Sequence, residues 1–490
     1  MCTHLNTALQ ILEEHIVRGA RHDCVEKDEA PRCQPGTRES ISRDIWEWIN
    51  NHLSDSRILW LYGPAGAGKT AIAGTLCEQL KVFGRLGGDY FFSRNARKDA
   101  KPLFPTISHY LATNFPNARE AVERLLAKDP DVLHRATDAQ LQPLIVEPLL
   151  ALNRNRNSPL VIVIDGLDEC EDEAAQCRII EQAFSVYKRD NTIPNIRFVI
   201  ASRPEPSIRN KFTSEQGQLL FQVSLEQTPE TNRDIRKYLE SGFQRIRDNP
   251  SHQNRLSNIT LPWPSYSDFE QLVEKASGQF IYASTVLKFV NDPHDMPDNR
   301  LKLVLSLKSE SCSSPLKPFA DLDRLYNQIL SMIPFSNREK AKAILGAVLY
   351  VSASTNTYQN EILSITELLL GLEAGESYSA LHSVHSLLHV ARSFRAEHRD
   401  AMTPEKYKAW LEDGRHAVRF YHKSFPDFLE DRTRSGEFFV DKTVVNTKLA
   451  VGCINILKGL SAERACSRLY CSKHMYTAIR TTQTFIYSFF

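Results

Sequence analysis

"LWLYGPAGAGKTAIAGTL", residues 59–76, decides how the rest of the chain is read. Within it Gly63, Pro64, Ala65, Gly66, Ala67, Gly68, Lys69 and Thr70 fit the spacing G-x-x-x-x-G-K-[ST], with an apolar strand pattern before and a helical pattern after. Glycines at 63, 66 and 68 let backbone N–H groups turn inward around phosphate oxygens, and the new helix adds its positive N-terminal end. Lys69 then reaches the β and γ phosphates of a nucleotide, and the Thr70 hydroxyl ligates Mg²⁺. A glycine-rich turn that binds nothing is the alternative; strand, helix, Lys69 and Thr70 together weigh against it.

The acidic partner of such a loop is expected at the end of another strand. In "PLVIVIDGLDEC", residues 159–170, five apolar residues make a buried strand and Asp165 stands at its C-terminal tip, where open α/β sheets place ligands. Asp165 is the candidate Mg²⁺ residue, and Asp168 or Glu169 the candidate that orients or deprotonates an attacking water. Glu171, Asp172 and Glu173 read instead as a solvated acidic turn. A further strand, "RFVIASRPEP", ends in Arg203, which can sense a γ-phosphate or cap a surface turn before Pro204.

Short apolar runs, "ILWLY", "DYFFS", "LVIVI", "RFVIAS" and "FQVSL", alternate with helical stretches between residues 58 and 225. That order predicts an α/β fold, a parallel sheet with helices on both faces. At 490 residues the chain exceeds one ordinary core. The expected division is residues 1–34, an N-terminal helix and linker; 35–225, the nucleotide-binding domain; 226–318, helical; 319–430, helices with a short strand at "AVRFYH"; and 431–490, the start of a further helical region. "SESCSSPLKP", 309–318, has linker composition.

Sixty basic residues stand against 59 acidic ones, which gives no overall field toward nucleic acid or an anionic membrane. Apolar runs are too short for a membrane span, Glu13 and Glu14 interrupt any secretory core, and ten scattered cysteines fit reduced thiols, so a cytoplasmic location is expected. Cys453, Cys466, Cys471 and His474 match no usual zinc spacing. His382, His385 and His389 are expected on one helical face without a carboxylate partner, and Arg94, Arg97, Lys98 and Lys101 as a solvated basic loop.

These blocks, with "CQPGTRESISRDIWEWI", "SGQFIYASTVLKFV" and "HKSFPDFLEDRTRSGEFFVD", resemble the NACHT-type P-loop ATPases of the STAND class, especially fungal NLR-like proteins with a nephrocystin-3-like core. The resemblance spans about residues 33–455. It implies an ATP/ADP-binding switch with Mg²⁺, closed with ADP, opened by exchange for ATP, hydrolysing slowly and self-associating in the ATP form. It also implies a helical domain and a winged helix after the sheet.

By position it places Thr37 and Arg38 beside the adenine and gives His422 a contact with the ADP β-phosphate; by its apolar neighbours alone His422 reads as a core residue. Gly278, Gln279 and Phe280 stand where related ATPases carry a Gly-x-Pro turn, so Phe280 stacks on the adenine or the base is held elsewhere. Members usually carry an effector before this core and a sensing repeat array after it. Neither is visible here, and the ending "FIYSFF" reads as that of a truncated product or a short functional form. The alternatives are a turnover ATPase or kinase, or a nucleotide-binding fragment that does not switch.

Overall fold

A computed structural model of the chain describes residues 9–24, 31–52, 54–93, 99–152, 158–188, 196–215, 217–225, 227–256, 259, 262–307, 319–354, 362–373, 376–389 and 418–465. Arg94, Arg97, Lys98, the 309–318 segment, Cys466, Cys471, His474 and "FIYSFF" lie outside the described residues. The chain forms two compact units, residues 1–237 and 238–490, and their boundary falls within helix Pro229–Asp248.

The first unit is built on a five-stranded parallel sheet. Its strands are β1 (Ile58–Tyr62), β2 (Leu86–Phe91), β3 (Leu160–Asp165), β4 (Ile196–Ser202) and β5 (Leu220–Ser224), in the order β2-β3-β4-β1-β5. Side chains alternate between the faces, so each inner strand feeds two cores. Ile58, Trp60, Tyr90, Ile162, Ile164, Phe198 and Ile200 meet Ile107 and Leu111 of helix Leu103–Asn114 and Ile180 and Phe184 of helix Glu173–Lys188. Leu59, Leu61, Phe91, Val161, Val163 and Val199 meet Ile45 and Ile49 of helix Glu39–Asn50 and Ile72, Leu76 and Leu80 of helix Lys69–Val82. Burial at about 1.5–3 kcal/mol per large apolar side chain on both faces explains why these strands are apolar runs rather than alternating ones.

The strand expected at "DYFFS" starts earlier, at Leu86. Gly87 and Gly88 hid it, because glycine disfavours strands. A Cβ on Gly88 would lie 2.7 Å from Ile107 Cγ2, so the strand gives up propensity for close approach of a helix.

The second unit is mainly helical, including Tyr266–Ala276, Phe280–Val290, Pro297–Ser306, Ala320–Ser331, Phe335–Ser354 and Lys442–Ala465. Buried Lys275 donates to the carbonyls of Val304, Leu305 and Leu307, satisfying the end of helix Pro297–Ser306. Tyr326 packs against Phe425 and Phe428 while its hydroxyl meets Ser424 Oγ at 2.8 Å.

The expected strand at "AVRFYH" is a two-residue segment, Arg419–Phe420, antiparallel to Leu388–His389. The single helical face expected for His382, His385 and His389 does not form. The helix stops at Leu381, His382–Val384 is a 3₁₀ turn, and His389 lies in that short strand. Nor does a carboxylate fail to accompany them: Asp292 Oδ2 lies 3.7 Å from His385 Nε2.

Candidate functional site

The segment between β1 and helix Lys69–Val82 folds as a tight loop at the C-terminal edge of the sheet. Gly66 and Gly68 take φ of +77° and +95°, conformations that side-chain-bearing residues avoid. At Gly63 a Cβ would stand 2.8 Å from Leu225 Cβ, so the residue that follows β5 closes against the loop's first glycine. Nothing lies within 4 Å of a Cβ built on Gly68, which leaves open space on that side of the loop. Pro64 is exposed, Ala65 and Ala67 are buried, and Thr70 is half-buried in the first turn of the helix. Lys69, 7% exposed, donates from Nζ to the carbonyls of Gly63 at 2.8 Å and Pro64 at 2.9 Å. A buried ammonium held on carbonyls at a helix N-terminus favours an anion there.

Two further strand ends contribute. Asp165 closes β3 and is 3% exposed, while its carbonyl accepts from Phe92 N–H. Gly166, at φ +71°, turns the chain into the 3₁₀ turn Leu167–Glu169. β4 lies between β3 and β1, so Arg203, just past its end, reaches Asp168. The Arg203 N–H donates to Asp168 Oδ1 at 2.9 Å, and Arg203 Nε stands 3.4 Å from Oδ2, with the Asp168 side chain 4% exposed. Trp60 Nε1 donates to Ser202 Oγ at 2.9 Å and ties β1 to the end of β4.

The "PGTR" segment also meets the loop. Gly36 has φ +82° and Arg38 φ +58°, a left-handed turn that opens helix Glu39–Asn50. Arg38, 4% exposed, donates from Nη2 to Ala67 O at 2.7 Å and from Nη1 to Thr231 Oγ1 at 3.2 Å, while its N–H donates to Asp234 Oδ2 at 2.9 Å. Burial lowers the Arg38 pKa, and Asp234 opposes that shift. Thr37 Oγ1 donates to Gln34 O at 2.7 Å. Thr231 and Asp234 escaped the sequence reading because they lie past the last strand, in a helix whose pattern shows only amphipathicity; no local motif marks them.

The first unit thus brings together Thr37, Arg38, residues 63–70, Asp165, Asp168, Glu169 and Arg203 at the strand ends or their adjoining turns. His422 and Phe280 belong to the second unit. His422 Nδ1 accepts from Ser424 N–H at 3.1 Å and faces Ser424 Oγ at 2.7 Å, at the start of helix Ser424–Leu429. Phe280 meets the Tyr238 ring edge-on with centroids 5.7 Å apart.

A family described as "Nephrocystin 3, N-terminal" matches residues 36–203, the segment that holds the loop, the acidic strand and Arg203. Among curated proteins none matches the chain. Solved structures similar to it include the Drosophila ORC bound to DNA, at TM-score 0.33 and 10% identity over 76% of this chain and 94% of that one. AMPPCP-bound DnaA from Aquifex aeolicus is similar at TM-score 0.26 and 13% identity over 80% and 96%. A DNA replication initiation factor is similar at TM-score 0.26 and 12% identity over 77% and 92%.

Proposed function

We propose that the first unit binds ATP and ADP with Mg²⁺ on residues 63–70, and that the chain works as a slowly hydrolysing nucleotide switch of the NACHT/STAND kind. The observation that carries the binding reading is the loop itself. Two left-handed glycines, a glycine pressed against Leu225 and a buried Lys69 at a helix N-terminus stand at the C-terminal edge of a parallel sheet. When bound, the magnesium nucleotide supplies a γ-phosphoryl group for hydrolysis. Lys69 neutralises phosphate charge, the Thr70 hydroxyl and the Asp165 carboxylate hold the cation, and backbone N–H groups at 66–70 orient the phosphates.

Holding rather than rapid turnover is supported by the Asp168–Arg203 pair. The candidate water-orienting carboxylate and the candidate phosphate sensor engage each other, so a group that draws Arg203 away also changes what Asp168 can accept. In this reading ADP favours the closed form, ATP favours the open, self-associating form, and Arg38 transmits the state of the loop through Ala67 to Thr231 and Asp234.

Calorimetric titration with ADP tests the binding reading. Lys69→Ala is expected to weaken ADP by at least about 100-fold, roughly 2.8 kcal/mol. Unchanged affinity contradicts the assignment.

A further inference from the structure

His22, Cys77 and Asp89 come from three separate parts of the first unit and converge in its interior. His22 follows the 3₁₀ turn Arg18–Ala20, Cys77 lies midway along helix Lys69–Val82, and Asp89 lies in β2. They are 2%, 0% and 1% exposed. One ring nitrogen of His22, Cys77 Sγ and a carboxylate oxygen of Asp89 all lie within 4.8 Å of one another. We propose that these three side chains form a binding site for a zinc-class divalent cation, which fastens the N-terminal segment to the phosphate-loop helix and to β2.

Geometry is the first support. His22 Nδ1 stands 3.1 Å from Asp89 Oδ1, yet neither atom makes a directed hydrogen bond. A protonated imidazole paired with a carboxylate aims its N–H along the line between them. Two donors to one ion instead sit side by side, roughly 3.3 Å apart for tetrahedral zinc with N and O bonds of about 2.0–2.2 Å. The other carboxylate oxygen is already placed, since Asp89 Oδ2 accepts from His22 N–H at 2.5 Å and so fixes the carboxylate's orientation.

Charge is the second. A carboxylate this deeply buried needs a compensating cation. Among the described residues the nearby cations are engaged elsewhere: Arg21 pairs with Asp23 at 3.0 Å and lies over the Tyr110 ring, and Lys81 pairs with Asp23 at 2.7 Å. Arg32 pairs with Glu78 at 2.6 Å and donates to His22 O. A divalent cation with one carboxylate, one thiolate and a neutral imidazole sums to zero. On binding, the Cys77 thiol gives its proton to solvent and its sulfur becomes the soft donor that, with nitrogen and oxygen, suits zinc.

The surrounding contacts show the same segment laid along one side of the helix. Cys33 N–H donates to Thr75 Oγ1 at 3.0 Å, Arg32 Nη1 would lie 2.9 Å from a Cβ on Gly74, and Asp23 reaches Lys81. His22 is a polar residue of this segment that reaches the interior, where Leu12 and Ala20 are also buried.

Full-length protein purified without chelator and analysed for metal by mass spectrometry is expected to carry about one zinc per chain, lost at least tenfold in Cys77→Ser, His22→Gln and Asp89→Asn. Cobalt exchange should give a thiolate-to-metal charge-transfer band that Cys77→Ser removes. Lys69→Ala should keep the metal, so failure of this site and failure of the nucleotide site are read separately. A wild-type protein with neither zinc nor a cobalt–thiolate band overturns the proposal and leaves a buried ion pair beside a thiol. Metal retained undiminished in Cys77→Ser, or in Asp89→Asn should the serine variant not fold, overturns it equally.

Discussion

Arg38 joins three parts of the first unit through one side chain. Its guanidinium bridges Ala67 O and Thr231 Oγ1 from a buried position, and the left-handed backbone that places it is strained for a non-glycine residue. Arg38→Ala leaves buried acceptors unmet and should cost about 2–4 kcal/mol, read as a lower urea midpoint. Arg38→Lys should restore it only in part, because the ammonium lacks the planar fork that places two guanidinium nitrogens on the two acceptors.

His385 carries a pH effect at the same scale. It is faced by Asp292, Arg300 and His382, and burial pushes its pKa below the ordinary 6.5. A depressed folded value means that the unfolded chain takes up the proton first. His385 therefore supports the second unit above pH 6.5, and that support is lost as pH falls from there through the folded pKa. Melting temperature measured between about pH 7 and pH 5 should fall less in His385→Gln than in the parent. His422 was ambiguous in the sequence because a motif block and a core reading share the same residues; its bonds to Ser424 give it a local task at the start of a helix.

Among elements, the sheet and the loop obey opposite constraints. The inner strands need bulk on both faces, whereas the loop and β2 need its absence. Gly63→Ala should destabilise the first unit by about 1–3 kcal/mol, measured by denaturant unfolding, since the new methyl meets Leu225 at 2.8 Å. The apolar runs of β1, β3 and β4 and the glycine spacing of the loop were legible because burial and phosphate geometry act on neighbours in sequence. The start of β2, the Arg38 clamp and the Asp168–Arg203 pair were not. Two glycines hid the first, and the other two join residues distant in sequence that only tertiary packing brings together. The histidines at 382–389 misled for a related reason: helical spacing continues past Leu381, but the backbone turns into a strand pair with Arg419–Phe420.

For the whole molecule, the division at residues 237 and 238 puts every element of the loop, the acidic strand and Arg203 in one unit, so the proposed nucleotide site lies wholly within residues 1–237. Among the described residues no helix is long and apolar enough to cross a membrane. Switching as proposed involves the full chain and begins with what the loop holds. Denaturing the purified full-length protein and identifying the released nucleotide by chromatography tests that most directly. ADP is expected in near-equimolar amount, with phosphate release from added ATP slower than about one turnover per minute, far below an ordinary enzyme's rate. Protein that contains no nucleotide and takes up none, or that turns ATP over at ordinary enzymatic rates, would contradict it.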